Sequence, residues 1–243
     1  MHLVRREDWA TIDLDVTNGH VFVRQDWFYE WRDPPKGVAP WTDDEKAAFH
    51  HAVDHLIWGH WSMRASIAVS RPHGRASATG IARDPVARFA HRRLTLSFDV
   101  RKVSTRTQWL IQVGKVDPKV EPKKWPRPFT WFEDRRMELY DASITKRHAK
   151  PPPEDVLPND RGPRLKKRPT FYQAPHEFGH AIGYAHSHEA RIPDEYERDS
   201  SYKSDVESIM NLGRRLRSRH LFMVMARLGR MVPGCTFTAS AEP

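Results

Sequence analysis

Apolar and acidic positions alternate near the start of the chain. Ile12, Leu14 and Val16 are separated by Asp13 and Asp15, and a second apolar run, Val21 to Val23, follows Asn18-Gly19. A two-residue period sorts side chains onto the two faces of a strand. Asn-Gly accepts the positive φ angles of a type I′ turn, so the segment predicts a β-hairpin. The period then changes. Thr42 and Glu45 have capping-box spacing, and Phe49, Ala52, Val53, Leu56 and Ile57 recur at helical intervals. They predict a helix from about Asp43 to Trp58 with one buried face. Alternation returns in Ser66 to Ser70, in Leu94 to Val100 and in Trp109, Ile111 and Val113, each read as a strand. Two Pro-rich basic stretches, Asp117 to Pro128 and Lys150 to Pro169, read as surface loops. A helix is predicted from about Pro175 to Tyr184. A last amphipathic helix follows Ser218, with Leu221, Phe222, Met225 and Leu228 on one face. Strands with one early helix, then loops and late helices, make an α+β pattern.

Composition narrows the class. The 243 residues suit one domain, and 39% hydrophobic with 11% aromatic residues is enough for a core, which excludes wholesale disorder. All nine tryptophans lie between Trp9 and Trp131, so the bulky packing material precedes the later chemistry. Forty Lys and Arg against 31 Asp and Glu give a net charge of +9. A solvated basic surface accounts for that balance, with nucleic acid, anionic membranes and acidic substrates as the alternatives. Cys235 is the only cysteine, which rules out an intrachain disulfide and a cysteine-based zinc site. No apolar segment follows Met1 to Asp8, and no run approaches the ~18 residues of a spanning helix. The expectation is a chain without signal peptide or membrane span. It would be cytoplasmic, exported by a signal-independent route, or part of a larger precursor.

The chemistry concentrates after residue 175. His176 to His186 reads His-Glu-Phe-Gly-His-Ala-Ile-Gly-Tyr-Ala-His, the pattern H-E-x-x-H-x-x-G-x-x-H. On a helix His176 and His180 share a face one turn apart, so two imidazoles can reach one Zn²⁺ ion. Glu177 is rotated around the helix from them, where its carboxylate can act as base on water at the open coordination position. Gly183 can adopt the left-handed conformation that ends a helix and turns the chain, which returns His186 as third ligand. Three protein ligands and one open position make a catalytic zinc site rather than a closed structural one. Pro175 fits the first helical turn, where no amide bond is lost.

Downstream, Ser208-Ile209-Met210-Asn211 resembles the Met-turn of the metzincin metallopeptidases, and Phe178 to Ser187 is close to matrixin-type sequences. The resemblance covers about residues 175–211. It implies a twisted mixed sheet with an early helix and an active-site helix in an upper subdomain, residues 1–183. It also implies a smaller lower subdomain, residues 184–243, with the Met-turn and a final helix, the whole forming one catalytic domain. Met210 would then form an apolar floor beneath the metal histidines. Two departures stand out: the segment between His186 and Met210 is longer than in matrixins, and Leu212 occupies the position of the metal-linked tyrosine of some branches. Tyr196 and Tyr202 are candidates to assist an oxyanion. The lone Cys235 excludes an N-terminal cysteine switch.

The implied activity is a zinc endopeptidase with one catalytic Zn²⁺, acting on a protein or peptide substrate that pairs with an edge strand at Trp109 to Val116. A toxin-like effector protease, paired with an inhibitor or immunity protein, is one version of it. A basic nucleic-acid-binding module with structural zinc and a zinc hydrolase of a non-peptide amide are the alternatives. No nucleic-acid motif supports the former. His188, or in a thermolysin-like site Glu195, Glu197 or Glu207, are the rival third ligands. His51 and His55 read as a polar helix face, and Arg214, Arg215, Arg217 and Arg219 as a solvated basic cluster.

Overall fold

The computed structural model describes residues 1–70, 93–148, 169–184, 195–196 and 200–241. His186, Ser187, His188, Glu197 and nearly all of the second Pro-rich stretch lie outside the described residues. The described chain is an α+β structure. Its strands are β1 (His2–Arg6), β2 (Thr11–Asp15), β3 (His20–Trp31), β4 (Ala65–Ser70), β5 (Arg93–Val103) and β6 (Trp109–Gly114). They continue with β7 (Phe129–Trp131), β8 (Arg136–Tyr140), β9 (Arg147–His148), β10 (Thr170–Phe171) and β11 (Thr236–Ala241). The helices are α1 (Asp43–Trp61), α2 (Gln173–Ala181) and α3 (Phe222–Met231).

Among the described residues nine strands form one mixed sheet. Its main path runs β11-β4-β5-β3-β6-β8-β7, with β2 also on β3 and β1 on β2. The β2–β3 hairpin pairs Asp15 with His20. Its turn differs from the expected type I′. Only Gly19 takes positive φ, at +70°, whereas Asn18 is held by the Asp15 carboxylate through its backbone N–H and its side-chain amide. The loop runs over four residues, Val16 to Gly19, and is closed by the Gly19 N–H on the Val16 carbonyl and by the Asp15 side chain on Asn18.

The Thr42/Glu45 capping box forms, and α1 runs three residues beyond the expected Trp58, to Trp61. Phe49, Val53, Ile57 and Trp61 are its buried face, and His51 and His55 are exposed. β6 is an interior strand, parallel to β3 on one side and to β8 on the other. The edge expected at Trp109 to Val116 therefore lies elsewhere: beyond β8 on that side, the sheet path ends at β7, antiparallel to β8.

In α3 and the 3₁₀ turn before it, Leu221, Val224 and Leu228 are buried while Phe222 is exposed. Leu221 and Leu228 lie on the buried face as expected and Met225 packs against the core, so Phe222 alone departs from the anticipated face. The chain then returns to the sheet as β11, antiparallel to β4. One apolar cluster runs from Trp9 through Trp27, Phe98 and Met210 to Phe237, so residues on both sides of the proposed subdomain boundary share a core. Among the described residues no helix is long and apolar enough to cross a membrane.

Candidate metal centre

Every residue of α2 from Ala174 to Ala181 is buried, so its polar side chains must find partners within the protein. Apolar packing fixes the helix first. Phe178 meets the rings of Trp61 and Phe98, each at 5.6 Å, and of Trp27 at 6.5 Å. Hydrogen bonds fix its ends. Trp61 Nε1 donates to the Pro175 carbonyl at 2.9 Å, and Gln25 Nε2 donates to the Ala181 carbonyl at 2.8 Å. Gln25 in turn accepts from Trp27 Nε1.

The C-terminus is a Schellman turn. Gly183 sits at φ +100°, its N–H bonds the His180 carbonyl, and the Tyr184 N–H bonds the Gly179 carbonyl. A side chain at Gly183 would press on Met223 at 2.7 Å. This turn points the Tyr184 carbonyl back at the helix, where it lies 2.7 Å from His180 Nδ1. His176 Nδ1 lies 3.0 Å from the Ile209 carbonyl. A carbonyl only accepts, so in both rings Nδ1 carries the hydrogen and the neutral imidazole's lone pair falls on Nε2. Histidines that ligate metals have this arrangement, one nitrogen fixed by a carbonyl and the other presented to the ion. The two rings are 5.1 Å apart at an interplanar angle of 77°. Their donor set fits Zn²⁺, with the third candidate, His186, outside the described residues. Among the described residues no three His, Cys, Asp or Glu side chains form a metal-binding group.

Glu177 is buried on the same helix. Thr130 of β7 donates from its hydroxyl to Glu177 Oε2 at 2.8 Å, and the same hydroxyl lies 3.2 Å from the Glu177 carbonyl. Sequence reasoning passed over Thr130. The available signal was the β-rich triplet Phe129-Thr130-Trp131 ahead of the alternating Met137 and Leu139.

Met210 is fully buried beneath α2. A Cβ on Gly179 would fall 2.2 Å from Met210 Sδ and 3.0 Å from Trp61 Cζ2, so the glycine is what lets the methionine approach. The turn around it is bonded internally: the Met210 N–H donates to Ser208 Oγ, and the Asn211 N–H to the Ser208 carbonyl.

The other candidates separate. Tyr196 stacks on His176 with ring centroids 6.0 Å apart, whereas Tyr202 packs under the Arg219 guanidinium. Glu195 is committed to Arg219, His220 and Tyr184 rather than turned toward the histidines, and Glu207 pairs with Arg215. Arg217 and Arg219 are not a solvated cluster. Arg217 forms a two-pronged pair with Asp205, and Arg219 bonds both Glu195 and Asp205. Although burial opposes ionisation, hydrogen bonds from Arg219, His220 and Ser208 hold the Glu195 carboxyl well below the usual carboxylate range. Burial pushes the His220 ring down, against the pull of Glu195. Geometry agrees, because His220 Nδ1 accepts the Arg217 N–H and so keeps a lone pair. Comparison with protein-family models, curated proteins and solved structures finds no match to this chain.

Proposed function

We propose that the chain is a metzincin-like, zinc-dependent endopeptidase. The observation that carries the reading is the pair His176 and His180, buried one turn apart with each Nδ1 fixed by a main-chain carbonyl. His186 completes the ligand set on the strength of the motif. Bound there, zinc would supply Lewis-acid chemistry, polarising a carbonyl and lowering the pKa of a water toward ~7. Glu177 takes the proton from the attacking water and hands it to the leaving amine. Thr130 fixes Oε2 of that carboxylate, which leaves Oε1 to meet the water. Met210, passing under Gly179, supports the helix from below.

β7 ends the sheet path and carries Thr130, so an extended peptide added alongside it would run past Glu177. That supports a protein or peptide substrate. The test is cleavage of an unfolded protein such as casein by the zinc-supplied chain. Wild type should cleave, and Glu177→Ala should bind zinc but not cleave. Cleavage that survives both Glu177→Ala and a chelator would contradict the proposal.

A further inference from the structure

Glu195 is the most heavily bonded buried acid among the described residues, and the hydrolytic scheme does not use it. Its side chain is fully buried. Oε1 accepts from the Tyr184 hydroxyl at 2.9 Å, from Arg219 Nε at 2.7 Å and from His220 Nε2 at 3.0 Å, while Oε2 accepts from Arg219 Nη2 at 2.8 Å. Its backbone is also engaged. The Glu195 N–H donates to the Met210 carbonyl at 3.3 Å, and its carbonyl accepts from Asn211 Nδ2 at 3.2 Å.

Two of these contacts reach the residues that orient the histidines. Tyr184 supplies the carbonyl that fixes His180. Ile209, next to Met210 in the turn that Glu195 bonds, supplies the carbonyl that fixes His176. His220 strengthens the same joint, since its Nε2 lies 3.2 Å from Ser208 Oγ, which also accepts the Met210 N–H.

We propose that Glu195 is a positioning residue for the metal centre: its carboxylate holds Tyr184, whose carbonyl aims His180, and through His220 and Ser208 it braces the turn whose Ile209 carbonyl aims His176. A carboxylate suits this place because three donors converge on Oε1 and a fourth on Oε2. A glutamine would turn its NH₂ toward donors and break the joint. The inference rests on the zinc reading above, and its test reads metal affinity rather than turnover.

The experiment is competition for Zn²⁺ between the metal-free chain and a chromogenic chelator, with the visible spectrum of the Co²⁺-substituted protein as second readout. Glu195→Gln should weaken zinc binding about 10- to 100-fold, the range for partners that orient metal ligands, and should alter the cobalt spectrum. Tyr184→Phe removes a single hydroxyl, retains the backbone carbonyl and should act in the same direction, about 10-fold. It decides the question if Glu195→Gln does not fold. Asp26→Asn weakens a part-buried ion pair with Arg101 and should leave affinity and spectrum unchanged. Tight zinc binding by wild type together with wild-type affinity and spectrum in Tyr184→Phe and in folded Glu195→Gln would overturn the clamp and leave the peptidase proposal standing. No zinc binding by wild type would overturn both.

Discussion

Replacing Gly179 with alanine sets two physical effects against each other. Gly179 lies inside α2, and helix propensity alone favours alanine there by about 1 kcal/mol. The structure opposes it, because the new Cβ would sit 2.2 Å from Met210 Sδ and 3.0 Å from both Met210 Cε and Trp61 Cζ2. Real carbon–sulfur contacts need well over an ångström more. Trp61 cannot yield, as its ring packs on Phe98 and Phe178 and its Nε1 is bonded to Pro175. Met210 must give way, and its backbone is held by Ser208 and Glu195. Overpacking of a filled core costs roughly 1–3 kcal/mol, and a gap this short belongs at the upper end. The expected outcome is net destabilisation of about 2 kcal/mol, read from the shift in urea midpoint at constant m-value. The partner variant Met210→Ala should cost roughly 2–5 kcal/mol for its cavity. The double variant should be more stable than the sum of the two predicts, because the alanine methyl enters the vacated space. A Gly179→Ala protein as stable as wild type, or additive behaviour in the cycle, would refute the reasoning.

Three further outcomes follow from the same geometry. Thr130→Val keeps the shape of β7 and removes the donor on Glu177 Oε2. It should lower kcat about 10-fold with KM and zinc content unchanged, while Thr130→Ser restores most of it; unchanged kcat would contradict the assigned role. Gln25→Leu leaves the Ala181 carbonyl and the Trp27 indole N–H without their partner and should cost about 2–6 kcal/mol in urea unfolding, at roughly 1–3 per orphaned group; a neutral result would mean the α2 terminus is held otherwise. Burial lowers the pKa of His220, His50 and His60 below the ordinary 6.5. As pH falls through that value the unfolded chain takes up protons that the folded chain refuses, so stability drops. The depressed carboxyls of Glu195 and Asp205 add a second loss at more acidic pH, below their ordinary range. Melting of the metal-free protein should be higher at pH 8 than at pH 5.5, and a flat profile would contradict the lowering of these histidines by burial.

How much was legible in the sequence depends on whether the signal was periodic or required a distant partner. Ile12 to Val23 and Phe49 to Ile57 repeat with their own element's period, and β2, β3 and α1 appear where that pattern put them. Of the motif, the spacing of His176 and His180 was likewise legible, because a helix turns four residues into a shared face, and both lie on α2. Short or marginal elements were not. β7 has three residues, between a Pro-rich stretch and an acidic turn, and β11 has Phe237 as its fully apolar inward residue, so neither repeats long enough to stand out. Arg217 and Arg219 read as solvated because Glu195 and Asp205, the acids that claim them, lie more than ten positions away. The edge strand was misassigned for a similar reason. Strand order is a property of pairing, and β6 looks alike in sequence whether it has one neighbour or two. The need for Gly179 appears only once Met210 is beneath it.

The most direct measurement of the central claim is zinc stoichiometry of the purified chain by elemental analysis after zinc loading and removal of loosely bound metal. The account predicts one zinc per chain in wild type. It also predicts loss of tight binding in His176→Ala, His180→Ala and His186→Ala, with His188→Ala still binding one. Absence of zinc from wild type, or a His186→Ala protein that retains it while His188→Ala does not, would contradict the ligand set on which the proposed activity depends.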